Sequence, residues 1–473
     1  MSEHHNIITH STDLLPIELA ISSLISELRI YDENHRSNEG KEPQLVTFCQ
    51  PIEPVKLPEW LYQQTLYPRL FWMNREQDFS VAGIGVADTI HCEESGDNNA
   101  TFDQFQDALA NKDPLARYFG GFCFNAKEQQ EPIWREFPSF SFVLPLVQLT
   151  RENNKYSLSC NLWFACSDEL AKKISAIIAL LNRIVPAGDC SAMKLPEVQN
   201  ISYNPDENRW TEQCKKALQT FESGELEKII LARQTVLEFN SSFSPLLFLL
   251  RYPYPQNAIY RFYFEPVENH AFFSFTPERL YRRDGKRLLT EALAGTCSKE
   301  SINGSDLHAS EALLNSEKDI REHNFVKEMI HEELLKICSD IDMEEEAQVL
   351  QLHRLAHLYT RCAARLKPEF AHDSAILQLL HPTPAVGGVP KDPILRHIME
   401  LEPFSRGWYA GPVGWVSRDA SEFCVAIRSA LVNGRFAYLY SGAGIVKGSD
   451  PALEWEEIEQ KIGDLLAITR QKR

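Results

Sequence analysis

Two periodicities divide this chain. Apolar residues return every three or four positions over residues 14–30 (LLPIELAISSLISELRI), 168–183 and 208–223, the spacing of one helix face. The same period is strongest from Glu317 through EKDIREHNFVKEMIHEELLKI, where Val326, Ile330, Leu334 and Ile337 share a face. Elsewhere alternation with a period of two prevails. RLFWMNREQDFSVAGIGVAD predicts two strands about a polar turn, and RYFGGFCFNA with FPSFSFVLPLVQLTRENNKYSLSCNLWFA predicts an antiparallel meander. Residues 185–207 are turn-rich and weakly periodic and read as a linker. They divide the chain into an N-terminal scaffold half, 1–204, and a C-terminal half, 205–473.

Two hairpins stand out in the second half. Asn433-Gly434 separates two alternating runs, and a loop of those two residues sets Val432 against Arg435, Arg428 against Leu439 and Ala426 against Ser441. Small neighbours then leave space beside the Arg428 guanidinium. The run continues into Ser441-Gly442-Ala443-Gly444, whose glycines permit an anion-binding nest of backbone N–H groups. Serine or aspartate then caps a helix with Pro451 in its first turn, along which Glu454, Glu457 and Lys461 share a face. Either this is half of an anion site, or it is a hairpin packed by an amphipathic helix with a solvated charged face. Asp284-Gly285 marks the other hairpin, and its register sets Glu278, just after Pro277, across from Glu291. Two close carboxylates would raise the pKa of one of them; the plainer reading is two solvated glutamates at a sheet end.

Further chemistry-bearing positions are scattered. Lys228 opens the run KIILARQTVLEF on a face with Ile230, Ala232, Gln234 and Val236, as a functional lysine or as a strand-edge charge that discourages aggregation. Asp319, Glu322 and His323 cluster on the 317 helix much as Glu454 and Glu457 do on the last one. Acid pairs near helix N-termini are also common for dipole reasons. Four carboxylates brought together require a cation, and oxygen donors favour Mg²⁺. LLHPTPAVGGVPKDPILRHI is a rigid turn-rich loop of the kind that lines pockets.

Charge narrows the partners. With 48 basic and 66 acidic residues the net charge is −18, which opposes nucleic acid and anionic membranes. No basic, then apolar leader opens the chain and no apolar run approaches a membrane span, so a soluble cytoplasmic protein is expected. The eleven cysteines lack CxxC spacing, which argues against a disulfide framework or structural zinc.

The set KIILAR, TPERL, TEALAGT, EKDIREH, HLYT, HPTPAVGG, RGWYAGPVGW, AIRSAL, SGAGIV and EWEEIEQK resembles the chorismate-utilising enzymes, closest to the menaquinone-pathway isochorismate synthases. The motifs span residues 225–465, and FWMNREQDFSVAGIGVAD and FGGFCF extend the likeness into the first half. The resemblance implies one large α+β domain, two stacked antiparallel sheets flanked by helices, in place of the two or three domains that length alone suggests. It implies Lys228 as the base that activates water and Glu278 as the acid that protonates the departing C4 hydroxyl. Glu322 and Glu457 match Mg²⁺ ligands, with Asp319 and Glu454 holding metal-bound waters. Arg428, Tyr409, Lys461 and the amides of Gly442, Ala443 and Gly444 match the groups that grip the substrate carboxylates; Gly295, Thr296, His357 and Ala385 match the pocket wall.

Two positions choose among the relatives. Amine-transferring members carry glutamine where Lys228 stands, and aminodeoxychorismate synthases carry lysine where Ala294 stands. Water is therefore the implied nucleophile, chorismate the substrate, and no glutamine amidotransferase subunit is expected. Salicylate synthases, which go on to eliminate pyruvate, and siderophore-pathway isochorismate synthases are the alternatives, ahead of a non-catalytic chorismate-binding protein.

Overall fold

A computed structural model describes residues 6–8, 13–35, 44–92, 96–164, 167–254, 258–299, 306–353 and 355–470. Its strands pair antiparallel throughout, except where Asn6–Ile8 lies parallel to Gln44–Ile52 and Leu15 bridges to Ile52. The strands form one connected network whose two runs, the two sheets of the fold, share the long pair Phe79–Cys92 and Phe140–Glu152. From that pair one run passes through Arg69–Met73, Tyr260–Val267, His270–Thr276, Ser429–Asn433 and Phe436–Val446 to Lys228–Phe239. The other passes through Tyr118–Phe122, Pro412–Val416, Ala420–Val425, Arg279–Asp284 and Arg287–Ser298 to Leu355–Leu366. This is an α+β architecture.

Aromatic alternation holds the runs together. Phe272 and Tyr440 from the first and Phe423 and Val413 from the second enter one buried cluster with Trp408 and Trp134. On the first run's other face Phe273 and Leu439 enter a second buried cluster with Val46 of the strand Gln44–Ile52 and apolar residues of the helices Ile17–His35 and Ser167–Leu181. Sequence from both halves is interleaved in this way, and Val198–Asn204, inside the stretch that reads as a linker, pairs with Lys228–Phe239. Asn200 to Tyr203 are exposed there, so the periodicity of a half-buried strand is missing.

Both hairpin registers differ from expectation by one loop position. Asn433 pairs with Phe436 and Asp284 with Arg287, so the loops are Gly434-Arg435 and Gly285-Lys286. Gly434 (φ +62°) and Gly285 (φ +56°) take the first loop position, as a II′ turn requires, whereas the I′ turn expected from Asn-Gly needs positive φ at both positions. Arg428 therefore does not face Leu439, which pairs with Ala430, and Ser441 pairs with Arg233.

The more consequential difference is that the run SEFCVAIRSALVN is two strands in different sheets. Ala420–Val425 belongs to the second run and Ser429–Asn433 to the first, and the chain crosses between them at Ala426, Ile427 and Arg428, where Arg428 adopts φ +49°. A second crossing lies beside it. His270–Thr276 is in the first run and Arg279–Asp284 in the second, with Pro277 and Glu278 between them. The Val425 N–H donates to the Glu278 carbonyl (3.0 Å) and the Phe275 N–H to the Arg428 carbonyl (3.2 Å), stitching the crossings together.

Candidate active site

This seam gathers the candidate residues. Glu278 has left the ladder at Pro277, so its backbone finds partners in side chains and the neighbouring crossing: its N–H donates to Thr276 Oγ1 at 3.1 Å. Its side chain is buried, and Oε1 accepts from Thr383 Oγ1 at 3.0 Å. Burial is the main cause that pushes the carboxyl up to about 7; Glu291 adds to the rise, while the Thr383 bond, Lys461 and Lys228 pull against it. Burial thus does most of what the sequence suggested a carboxylate pair would do. Glu291 is itself held by Arg75 and Arg279, with Arg75 Nη1 and Nη2 on its two oxygens at 2.6 and 2.7 Å.

Lys228 opens its strand opposite Val446, and its Nζ lies 2.9 Å from Glu322 Oε1. Gly444 makes room for it, since a Cβ there would stand 3.2 Å from Lys228 Cε. The same applies at Gly442 and the hydroxyl of Tyr409, at 3.0 Å. Burial raises the pKa of that phenol, and its ring stacks on Tyr440. The SGAG stretch does not leave the strand to form a nest; it continues Phe436–Val446 in register with Lys228–Phe239. The Ala232 N–H turns away to Glu402 and the Ile230 N–H to Gly387, so their partners Gly442 and Gly444 also turn their backbone groups off the ladder. Lys461 Nζ takes the Gly442 carbonyl at 2.9 Å. Ala443, between them, pairs with Leu231, and ladder alternation turns its amide toward that strand instead of outward.

Arg428 points from its crossing to His357, with Nη2 3.0 Å from Nε2. Burial, then the charges of Arg428 and Lys461, push this imidazole down to about 3, so it is neutral and Nε2 accepts a hydrogen bond from the Arg428 N–H. His357 pairs across the ladder with Thr296, beside the bulge at Gly295; the Thr296 side chain lies outside the described residues. Gly295 (φ +76°) permits close packing of the 317 helix, since a Cβ there would be 3.2 Å from Asp319 Cβ. Ala385 and Thr383 line a narrow cavity of ≈ 70 Å³ with Glu278, Glu291, Val326 and Ile330. A larger cavity, ≈ 690 Å³, lies between Ile17, Lys56, Pro186 and Arg251, away from all these groups.

The acid helices are Glu317–Ile337, capped by Ser316, and Pro451–Thr469, capped by Asp450. They share an electrostatic neighbourhood. Burial would raise Glu322, but Lys228, then Lys318 and Lys461, hold it below its ordinary range. Glu454 is raised by burial and by Glu457, against the pull of Ser449, Lys461 and Lys318. Glu457 Oε1 carries Lys461 Nζ at 2.7 Å. Among the described residues no three acidic, histidine or cysteine side chains converge as a finished metal cage. The donor chemistry nevertheless fits a hard cation: Asp319, Glu322, Glu454 and Glu457 offer only oxygen. A cation there would compete with Lys228 for Glu322 and with Lys461 for Glu457. His323 is outside this set, buried with Nε2 2.7 Å from Thr360 Oγ1.

Sequence reasoning missed Thr383, Arg75 and the pair Arg406–Glu402. Thr383 sits on a loop recognised as pocket-lining, but nothing in HPTP marks its hydroxyl as the acid's partner. Arg75 comes from a polar turn in the half read as scaffold. Buried Arg406 holds both oxygens of Glu402 together with the Val386 and Ile230 carbonyls, tying that loop to the strand of Lys228.

A profile of the chorismate binding enzymes matches residues 30–470. The chain belongs to the chorismate binding enzyme family. It is 34% identical over 409 residues to the chloroplastic isochorismate synthase of Catharanthus roseus, covering 83% of this chain and 68% of that one. It is 32% identical over 416 residues to isochorismate synthase MenF of Escherichia coli strain K12, covering 87% and 90%. The solved structure of MenF, the menaquinone-specific isochorismate synthase from Escherichia coli, superposes with a TM-score of 0.82 at 29% identity, over 95% of this chain and all of that one. For a chorismate binding enzyme, the seam presents cations at Arg428 and Lys461 and, beside them, a lysine and a protonatable glutamate.

Proposed function

We propose that this protein is an isochorismate synthase, converting chorismate to isochorismate by addition of water at C2 and loss of the C4 hydroxyl. The observation that carries the reading is Glu278: a buried carboxyl with a pKa near 7, hydrogen-bonded to Thr383 and within the field of Lys228. Lys228 takes a proton from the attacking water, a step that requires its neutral form, and Glu278 gives its proton to the departing hydroxyl, which leaves as water. One water enters and one leaves, so the product is an isomer, and returning the proton from Lys228 to Glu278 resets the site. Arg428, Lys461 and the outward amides of Gly442 and Gly444 suit two substrate carboxylates. Tyr409, His357, Gly295, Thr296 and Ala385 complete the wall.

Glu322 and Glu457 would hold Mg²⁺, with Asp319 and Glu454 beside them; the ion would stabilise negative charge building on the ring carboxylate. The MenF relatives support a place in menaquinone synthesis; a cytoplasmic location belongs to the same proposal. With water as nucleophile, no ammonia-supplying partner is needed. Incubation with chorismate and Mg²⁺, followed chromatographically, should yield isochorismate, and Lys228→Ala should abolish turnover in a folded protein. Salicylate with stoichiometric pyruvate as the main product would overturn the reading in favour of a salicylate synthase.

A further inference from the structure

Glu278 stands where the polypeptide leaves one sheet for the other, and the ladder of neither sheet fixes it. One ion pair holds both of its flanks. Arg75 Nη1 donates to the carbonyl of Pro277, the residue before Glu278, at 3.0 Å. The same guanidinium grips Glu291 with both terminal nitrogens, and Glu291 Oε1 accepts the N–H of Arg279, the residue after Glu278, at 3.1 Å. One side chain from the turn after Arg69–Met73 and one from the strand Arg287–Ser298 therefore hold both neighbours of the acid. The Arg75 side chain is 8% exposed and that of Glu291 0%, so water does not compete for these bonds.

We infer that the Arg75–Glu291 pair is a positioning clamp for the general acid, through which the N-terminal half of the chain sets where the Glu278 carboxyl stands. The inference rests on the reading of Glu278 as the acid. Arg75 does not touch the reacting atoms; it acts through the Pro277 carbonyl and Glu291. An ammonium in its place keeps the charge but cannot span both oxygens of Glu291 and the carbonyl together. Because displacement of a reacting group by about 1 Å costs on the order of 10²-fold in rate, loss of the clamp should appear in kcat. KM should stay near the wild-type value, since Arg428 and Lys461 are untouched.

Glu291 also contributes charge. Facing Glu278 are Glu291, Lys228, Lys461, the phenol of Tyr409 and Cys424, with Thr383 on its oxygen. Around Glu291 stand Arg75, Arg279 and Tyr359, and Arg279 also pairs with Glu76, Glu422 and Tyr260. Removing the Glu291 charge takes away a repulsion, so the Glu278 titration moves to lower pH.

Arg75→Lys and Glu291→Gln are compared with wild type in kcat, KM, melting temperature and the pH dependence of kcat/KM. The clamp predicts a fall in kcat of about 10- to 100-fold for Arg75→Lys with KM within about threefold. In Glu291→Gln the alkaline limb should move to lower pH. A lowered melting temperature with kcat within twofold of wild type, or a KM that rises in step with the loss of kcat/KM, would overturn it. Should Glu291→Gln fail to fold with Arg75 deprived of its buried carboxylate, Arg75→Met in the same chain removes that excess charge and the limb is read there. A wild-type protein that folds but does not convert chorismate refutes the functional reading instead. The clamp is then decided without turnover, by whether Glu291→Gln lowers the pH midpoint at which Glu278→Gln becomes more stable than its parent; an unmoved midpoint overturns it.

Discussion

The sharpest consequence of a buried acid is that removing it should kill the reaction and strengthen the protein, but only at alkaline pH. In Glu278→Gln the amide oxygen still accepts from Thr383, and the side chain can no longer ionise. The folded-state pKa of Glu278 is about 7 against an ordinary value of 4.5. Folded protein therefore retains a proton that unfolded chain releases between those values. Stability held below about pH 4.5 is lost as pH rises through 7. At ~1.4 kcal/mol per pH unit the full loss is about 3 kcal/mol, and the glutamine variant avoids it. With ~2.1 cal/mol/K of unfolding entropy per residue, 473 residues convert that into a melting difference of about 3 °C. Thermal scans of both proteins at pH 5, 7 and 9 should show near coincidence at pH 5 and the variant melting about 3 °C higher at pH 9. Turnover should fall by about 10²- to 10⁴-fold. A difference that is the same at pH 5 and pH 9, or a variant that melts lower at pH 9, would refute the account of Glu278 as a carboxyl held protonated by burial.

Arg428→Lys keeps the charge at the seam but loses the fork that reaches His357, and should raise KM for chorismate by about tenfold or more with a smaller change in kcat; steady-state kinetics decide it. Gly295→Ala forces a side chain into φ +76° and against Asp319, and should cost about 1–2 kcal/mol or more, seen as a lower melting temperature and a weaker metal response. Glu457→Gln removes a carboxylate that the proposed Mg²⁺ site uses, and titration calorimetry should show at least about tenfold weaker binding; wild-type affinity would contradict the assignment.

What sequence patterns revealed divides along local and non-local lines. Helix periods, caps and the existence of both hairpins were legible because they depend on neighbours within a few residues, as with Asp450 capping the last helix. The turn registers were not, since Asn-Gly and Asp-Gly fit either of two loop positions and only cross-strand packing selects one. The SGAG stretch was misjudged for the opposite reason. Its glycines suggest freedom, yet eleven consecutive pairings from Phe436 to Val446 hold the strand straight, and the glycines serve to admit Lys228 and the Tyr409 hydroxyl. Arg428 was found for a partly wrong reason, as a strand residue beside small neighbours rather than a crossing residue.

The crossings also explain why this site is built from both halves of the chain. A residue inside a ladder has its backbone fixed by the strands on either side, whereas one between two sheets has left those partners behind. Glu278 can line its narrow cavity and Arg428 can reach His357 because they have left the ladder, and they must be fixed by something else. Each crossing partly fixes the other, through Val425 to Glu278 and Phe275 to Arg428. The remaining contacts come from side chains remote in sequence: Thr383 from the HPTP loop, Arg75 from the first half, and His357 from the strand Leu355–Leu366. Those contacts have no periodic signature, because a single well-placed side chain suffices for each. A buried acid at a sheet crossing thus has a specific physical requirement, which is that its neighbours' backbone groups be paired by side chains. That requirement is why an arginine in an unremarkable polar turn bears on the chemistry.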